Sequence, residues 1–266
     1  MKHSIIFSTL LLVCILAGCR QGRYVTFSGY AQGGTYTVKA DLTGVTTSAR
    51  TIQHTIDALL DSIDFSVSGY NKNSLLSRYN AGEDILPNRF FYEVRALSER
   101  YRTETNGAFD AASAPLFDIW GFGFTTDSLP YPERIQAALA ACKDEKVLNF
   151  NAIAQGYTCD ILAGYLHSLG VHNMLVDIGE IFCEGVNASG RGWTIGVDNP
   201  VDGNTTPGQD LRGIWQSDGR PCGIVTSGNY RKFYVKDGKK YAHTIDPRTG
   251  YPVTHDLLSA TIVANR

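Results

Sequence analysis

Residues 231–245 read RKFYVKDGKKYAHTI, and the Asp237-Gly238 pair at their centre decides how the second half of the chain folds. Both residues of a tight two-residue turn need a positive φ, which Asp and Gly tolerate. Asp-Gly between two β-rich runs therefore predicts a hairpin, here with strands over 231–236 and 240–245. Outward from this hairpin the pattern persists. Short β-rich runs stand at 174–178, 193–197 and 222–225, and a last one covers 257–264.

Toward the N-terminus the period changes. After an alternating strand at 35–40, Ile52, Ile56, Leu59, Leu60 and Ile63 recur at helical spacing and predict an amphipathic helix over 47–63. A second helix carries Phe91, Val94, Leu97 and Tyr101 on one face and stops at Gly107. A third starts at Pro132, which suits a first helical turn. A fourth covers 155–169, with Ile161, Leu162, Tyr165 and Leu166 inward and Gly170 as its stop. Helices in the first half and antiparallel hairpins in the second predict an α+β fold.

The first residues set the compartment. Lys2 and His3 precede an apolar run over 5–16, which ends in Leu16-Ala17-Gly18-Cys19. The run is short for a membrane span and has the layout of a signal peptide. The small residues before Cys19 fit a bacterial lipobox, in which the cysteine is lipidated. The expected organisation is a signal peptide over 1–18, a tether over 19–26 and a folded body over 27–266, tied by Cys19 to a membrane in the cell envelope and facing the periplasm or the exterior. A net charge of −2 supplies no basic stripe to neutralise phosphates, which argues against nucleic acid as partner. Cys142, Cys159, Cys183 and Cys222 lie outside the leader; they include no C-x-x-C, and no histidine pair is read at metal-ligand spacing, so no zinc site is expected. Buried free thiols are expected of these four rather than a disulfide.

Four polar, glycine-bearing segments interrupt the periodic elements. Gly29-Tyr30-Ala31-Gln32-Gly33-Gly34-Thr35-Tyr36 fits either a close approach to a bulky ligand or an ordinary turn. Gly107-Ala108-Phe109-Asp110, with Pro115-Leu116 and Trp120-Gly121-Phe122-Gly123 after it, suits a wall for a flat ring system or plain core under a loop. Asn149-Phe150-Asn151-Ala152-Ile153-Ala154-Gln155-Gly156-Tyr157 runs into a helix whose N–H groups suit a diphosphate, although Asn is also a structural cap. Thr226-Ser227-Gly228-Asn229-Tyr230 and His243-Thr244-Ile245-Asp246-Pro247-Arg248-Thr249-Gly250 bring hydroxyls, a histidine and an aspartate suited to a phosphoryl group, or to a simple turn.

Taken in order, the G-x-F-D, P-L-x-x-x-W-G-F-G, A-I-A-x-G-Y, T-S-G-x-Y and H-x-I-D-P-x-T-G segments resemble those of the FAD:protein FMN transferases, the ApbE family, over nearly the whole mature chain. The resemblance implies a T-fold-like α+β architecture and an enzyme that moves FMN from FAD to a Ser or Thr of an acceptor protein, typically a subunit of a membrane redox complex, with release of AMP. It further implies that Gly33, Tyr70, Ala108, Phe109, Asp110, Asn149, Gln155 and Ile245 line the FAD site, that Ala152 gives its carbonyl to Mg²⁺, and that His243 is required for transfer. Gly33 stands where a methionine is common in the family, Asn149 and Gln155 where charged residues are common, and Ile178-Gly179-Glu180 has one glycine where two are usual. The family's metal site is completed by an Asp and a Thr beyond the last strand, and a chain ending at Arg266 is expected to lack that segment. A Mg²⁺-dependent FAD pyrophosphatase and a non-catalytic flavin-binding lipoprotein are the alternative activities.

Overall fold

The computed structural model describes residues 22–123, 129–204 and 206–265. The signal peptide over 1–18, Cys19, the start of the tether and Arg266 lie outside the described residues. The chain forms strands β1 (Tyr24–Ala31) and β2 (Gly34–Asp41), then helices α1 (Ala49–Val67), α2 (Leu75–Asn80) and α3 (Arg89–Glu104). A 3₁₀ turn (Ala111–Ser113) leads into α4 (Ala114–Ile119), α5 (Pro132–Cys142) and α6 (Asn151–Ser168). Eight strands follow: β3 (Met174–Asp177), β4 (Ile181–Glu184), β5 (Thr194–Asp198), β6 (Leu211–Gln216), β7 (Cys222–Gly228), β8 (Phe233–Lys236), β9 (Lys239–Ala242) and β10 (Ser259–Asn265). The α+β reading holds.

Six strands make one sheet in the order β1-β2-β3-β4-β7-β10, with every neighbouring pair antiparallel. Side chains alternate between the faces of a strand, so each face has its own partner. Val38, Ala40, Met174, Val176 and Phe182 point to one face, where they meet Ile52, Ile56 and Leu60 of α1 and Cys159, Leu162 and Leu166 of α6. On the other face Leu175, Cys183, Cys222 and Ile224 pack against Trp193 and Ile195. A second helical core joins the end of α1 to α2, α3, Phe150 and Tyr157. A third joins α4 and α5 to Ile245. The two-stranded ribbons β5-β6 and β8-β9 complete the fold.

Local chemistry explains the helix ends. Ser48 accepts a hydrogen bond from the Thr51 amide and Asn88 one from the Phe91 amide, each satisfying an otherwise orphaned first-turn N–H. The Asn88 side chain also donates to Ser66 Oγ, which fixes α3 against α1.

Several sequence expectations move. The tether does not reach residue 26, because β1 begins at Tyr24 and pairs Tyr24 with Asp41. The segment from Ala114 opens as a short helix rather than a loop, with Pro115 in its first turn. Helix α6 starts at Asn151, before the expected residue 155. The strand after the Asp-Gly turn ends at Ala242, since Ile245 turns away to bridge Pro252. The short α2, β4 and β6 carry no period of their own. Cys142, Cys159, Cys183 and Cys222 are free and buried.

Leu162 is fully buried between α6 and the sheet, so Leu162→Ala leaves a cavity there. Large-to-small changes of this kind cost about 2–5 kcal/mol. Urea unfolding should show the unfolding free energy falling by that amount, as a lower midpoint with an unchanged slope; a loss under about 1 kcal/mol would mean that the site collapses or is not packed as described.

Candidate active site

The N-terminal end of α6 is where most of the candidate segments meet. Phe150 caps this helix without a side-chain bond, while Asn149 Oδ1 accepts from the Asn151 amide at 2.8 Å. The Asn149 amide in turn donates to the Ala111 carbonyl at 2.8 Å, joining this end to the turn that Asp110 caps. Asp110 Oδ1 accepts from the Ala112 amide, and Oδ2 lies 3.3 Å from Arg102 Nε. Tyr70 stands over the same end, its hydroxyl accepting from Asn151 Nδ2 at 3.3 Å. Phe109 packs on the helical core with its ring edge-on to Tyr101, whereas Ala108 is exposed.

One turn along α6, Gln155 Nε2 donates to the Ile178 carbonyl at 2.9 Å. The turn that carries Ile178 needs a glycine next. Gly179 has φ +98°, and an added Cβ would sit 3.0 Å from that same Gln155 nitrogen. Gln32-Gly33 form the two-residue turn between β1 and β2, and Gln32 Nε2 donates to Thr158 Oγ1 at 2.6 Å. Gln32 Oε1 is buried without a partner. The Gly33 hairpin tip and Gln155 thus converge on one helix.

Glu180 is a feature that sequence reasoning missed. Its carboxylate accepts from the Thr226 amide at 3.2 Å, and Thr226 Oγ1 lies 2.9 Å from Thr261 Oγ1. Burial pushes the Glu180 carboxyl up to about 7; the Thr226 hydrogen bond opposes this, and the charge of Asp177 adds to it. The only signal in the sequence was an acidic residue after a lone turn glycine.

His243 and Ile245 occupy a second arm. The turn over 246–250 is closed by Asp246, whose carbonyl accepts from Gly250 and Thr249 and whose carboxylate pairs with Arg248. Arg248 holds the Asp246 carboxyl below the usual range. Gly250 is obligatory here: its φ is +78°, an added Cβ would lie 2.7 Å from Ile135, and its carbonyl accepts from Trp120 Nε1 at 2.7 Å. Trp120, Tyr241, Tyr234 and Phe122 stack in succession, and Phe122 meets the His243 ring edge-on. Ile245 is buried against α4 and α5.

His243 Nδ1 lies 3.1 Å from the Lys232 carbonyl. A carbonyl only accepts, so Nδ1 carries the proton and Nε2 is left with its lone pair. Burial lowers the His243 pKa and keeps the ring neutral near pH 7. Among the described residues, its hydrogen bond is to the Lys232 carbonyl and its aromatic contact is with Phe122. The two arms join through the chain from Asp110 into α4, and through Gly107, which faces Arg248.

The fold, an antiparallel sheet backed by helices, is that of solved flavin transferases. The Pseudomonas stutzeri flavinyl transferase ApbE superposes with a TM-score of 0.79 at 31% identity, covering 92% of this chain and 81% of that one. The Vibrio cholerae flavin transferase ApbE gives 0.76 at 30% identity, covering 91% and 82%. In sequence, the FAD:protein FMN transferase of Haemophilus influenzae is 31% identical, over 94% of this chain and 79% of its own length. The ApbE family model matches residues 32–266, and the chain belongs to that family.

Glu180 sets a pH dependence of stability. Folded Glu180 keeps its proton up to about pH 7, whereas an unfolded glutamate releases it near about 4.3. Between these values the unfolded state binds fewer protons, so this group's contribution to stability falls as pH rises. In buffer without divalent cations, Glu180→Gln should melt higher than wild type above pH ~7.5, with the gain shrinking toward pH ~4.5. Parallel melting curves for the two proteins would contradict the burial of this carboxyl.

Proposed function

We propose that the protein transfers FMN from FAD to a Ser or Thr hydroxyl of an acceptor protein, with Mg²⁺ and with release of AMP, while anchored by a lipid on Cys19 to a bacterial membrane. Membership of the ApbE family makes the chain an FAD:protein FMN transferase in general terms. The observation that carries the finer reading is the His243 tautomer: an Nδ1–H fixed on the Lys232 carbonyl leaves Nε2 as a neutral base.

In this reading the acceptor oxygen attacks the flavin-side phosphorus of the FAD diphosphate. The hydroxyl proton passes to His243 Nε2, the bond from that phosphorus to the bridging oxygen breaks, and AMP leaves with that oxygen. The positive end of the α6 dipole attracts the diphosphate. Gly33, Tyr70, Ala108, Phe109, Asp110, Asn149, Gln155 and Ile245 are assigned to holding FAD. Asp110, Asn149 and Gln155 are held by their bonds to Ala112, Asn151 and Ile178, so each presents a set side chain.

A hard cation prefers oxygen donors. The Ala152 carbonyl lies in the first turn of α6, and the turn bonded to Gln155 brings Asp177 and Glu180; the raised pKa of Glu180 marks a place where a cation would be welcome. These residues fit Mg²⁺ in kind, and the ion would neutralise charge developing on the phosphoryl oxygens. Among the described residues no helix is long and apolar enough to cross a membrane. The lipid anchor rests on the Cys19 lipobox, and the acceptor is inferred to be a subunit of a membrane redox complex.

His243→Ala should lower transfer by at least about 10²-fold, in line with loss of a general base, and leave FAD affinity nearly intact. In-gel flavin fluorescence of a denatured acceptor domain reads the first and fluorescence titration the second. The acidic limb of kcat/KM should fall below pH ~6.5, because the pKa is lowered. EDTA should stop the reaction and Mg²⁺ restore it. Transfer at the wild-type rate by the variant would remove His243 from the chemistry, and AMP release without labelled acceptor would make the enzyme a pyrophosphatase.

Cys19→Ser should move the protein from the membrane fraction to the soluble extract of the envelope. A variant that stays in the membrane at mature size would show that Cys19 is not the anchor.

A further inference from the structure

The end of α6 opposite the active site carries a second cluster. His167 lies in the last turn of α6, His172 in the connection to β3, and Glu184 at the end of β4. Pairing of Met174 with Glu184 across the β3–β4 ladder folds that connection back onto the glutamate. Glu184 Oε2 lies 2.5 Å from His167 Nε2, and Oε1 lies 3.3 Å from His172 Nδ1. The three candidate donor atoms fall within 4.8 Å of one another. Among the described residues these imidazoles are the only groups within ion-pair distance of the Glu184 carboxylate, whose side chain is 15% exposed.

We propose that His167, His172 and Glu184 bind a divalent transition-metal ion of the zinc class. Two imidazole nitrogens and one carboxylate oxygen form a donor set for Zn²⁺ rather than for Mg²⁺, which prefers oxygen alone. Zinc takes nitrogen ligands at about 2.0–2.1 Å and carboxylate oxygens at about 2.0–2.2 Å, so a tetrahedral site spaces its donors by roughly 3.3 Å. The side chains reach that spacing by small rotations, and water completes the fourth position. The surroundings are already ordered: the His167 ring stands edge-on to Phe182, and Trp193 Nε1 donates to the Glu184 carbonyl at 2.8 Å. From Ala152 to His167 is about 22 Å along the helix at 1.5 Å per residue, so this site is separate from the flavin end. The bound ion ties the C-terminal end of α6 to β4 and stabilises the fold by mass action. The sequence alone gives no zinc site: His167 and His172 are separated by four residues, a spacing zinc ligands use, but Glu184 comes beside them only in the fold.

The test uses the whole protein stripped with a chelator and then titrated with ZnCl₂ by calorimetry, with CoCl₂ absorption as a ligand-field probe. One equivalent is expected to bind the wild type, to raise its melting temperature and to give the visible bands of a low-coordinate cobalt site. His172→Ala, at a largely exposed side chain, is expected to fold normally and to transfer FMN in Mg²⁺ like wild type. Its zinc affinity should fall at least about tenfold, as should that of Glu184→Gln. Absence of zinc binding by the wild type would overturn the site. So would equal affinity in wild type and His172→Ala, which would place the ion at another histidine such as His243 or His255.

Discussion

The burial of α6 against the six-stranded sheet is the contact on which the rest of the molecule depends. Cys159, Leu162 and Leu166 lie on Val38, Met174, Val176 and Phe182 with no exposure to speak of. That stripe fixes the helix in rotation as well as position. It therefore decides where Asn151, Ala152 and Gln155 point at one end and where His167 points at the other. The β1–β2 turn, the Ile178–Glu180 turn and the Ala111 carbonyl all bond to α6 or to the residues that begin it. A candidate site assembled from four distant stretches of chain is thus referred to a single rigid axis.

The histidine arm is held by a different kind of contact. The stacked Trp120, Tyr241, Tyr234 and Phe122 rings give a column of apolar area with defined ring geometry. The Trp120 bond to the Gly250 carbonyl sets where that column stands against the 246–250 turn. The His243 ring meets the end of the column edge-on and its Nδ1 is tied to Lys232. The ring is thereby set in both tautomer and direction by Lys232 and Phe122.

Much of the architecture was legible in the sequence because its signals are local. The spacing of Ile52, Ile56 and Ile63, the Asn88-led α3 and the Asp237-Gly238 turn depend only on neighbours within a few residues. The ordered glycine-bearing segments carried the family on their own. What was not legible depends on distant partners. Strands β4 and β6 are too short for a period to emerge, and β1 was hidden by a glycine that reads as loop. Glu180 owes its raised pKa to burial beneath β7, and no pattern around residue 180 states that. His167 and Glu184 are 17 residues apart and meet only because one ladder has one register.

Cys183 and Cys222 face each other directly across β4 and β7, with sulfurs 3.5 Å apart on the buried side of the sheet. Successive residues of a strand point to opposite faces, so a slip of one position between these strands would send the two thiols to different sides. The pair is consequently a chemical readout of strand alignment at the centre of the sheet. A short bifunctional thiol reagent applied during refolding would bridge this pair most efficiently in molecules in which β7 lies beside β4. The burial that pushes the Cys183 thiol up to about 12 then closes that window once the native face is covered.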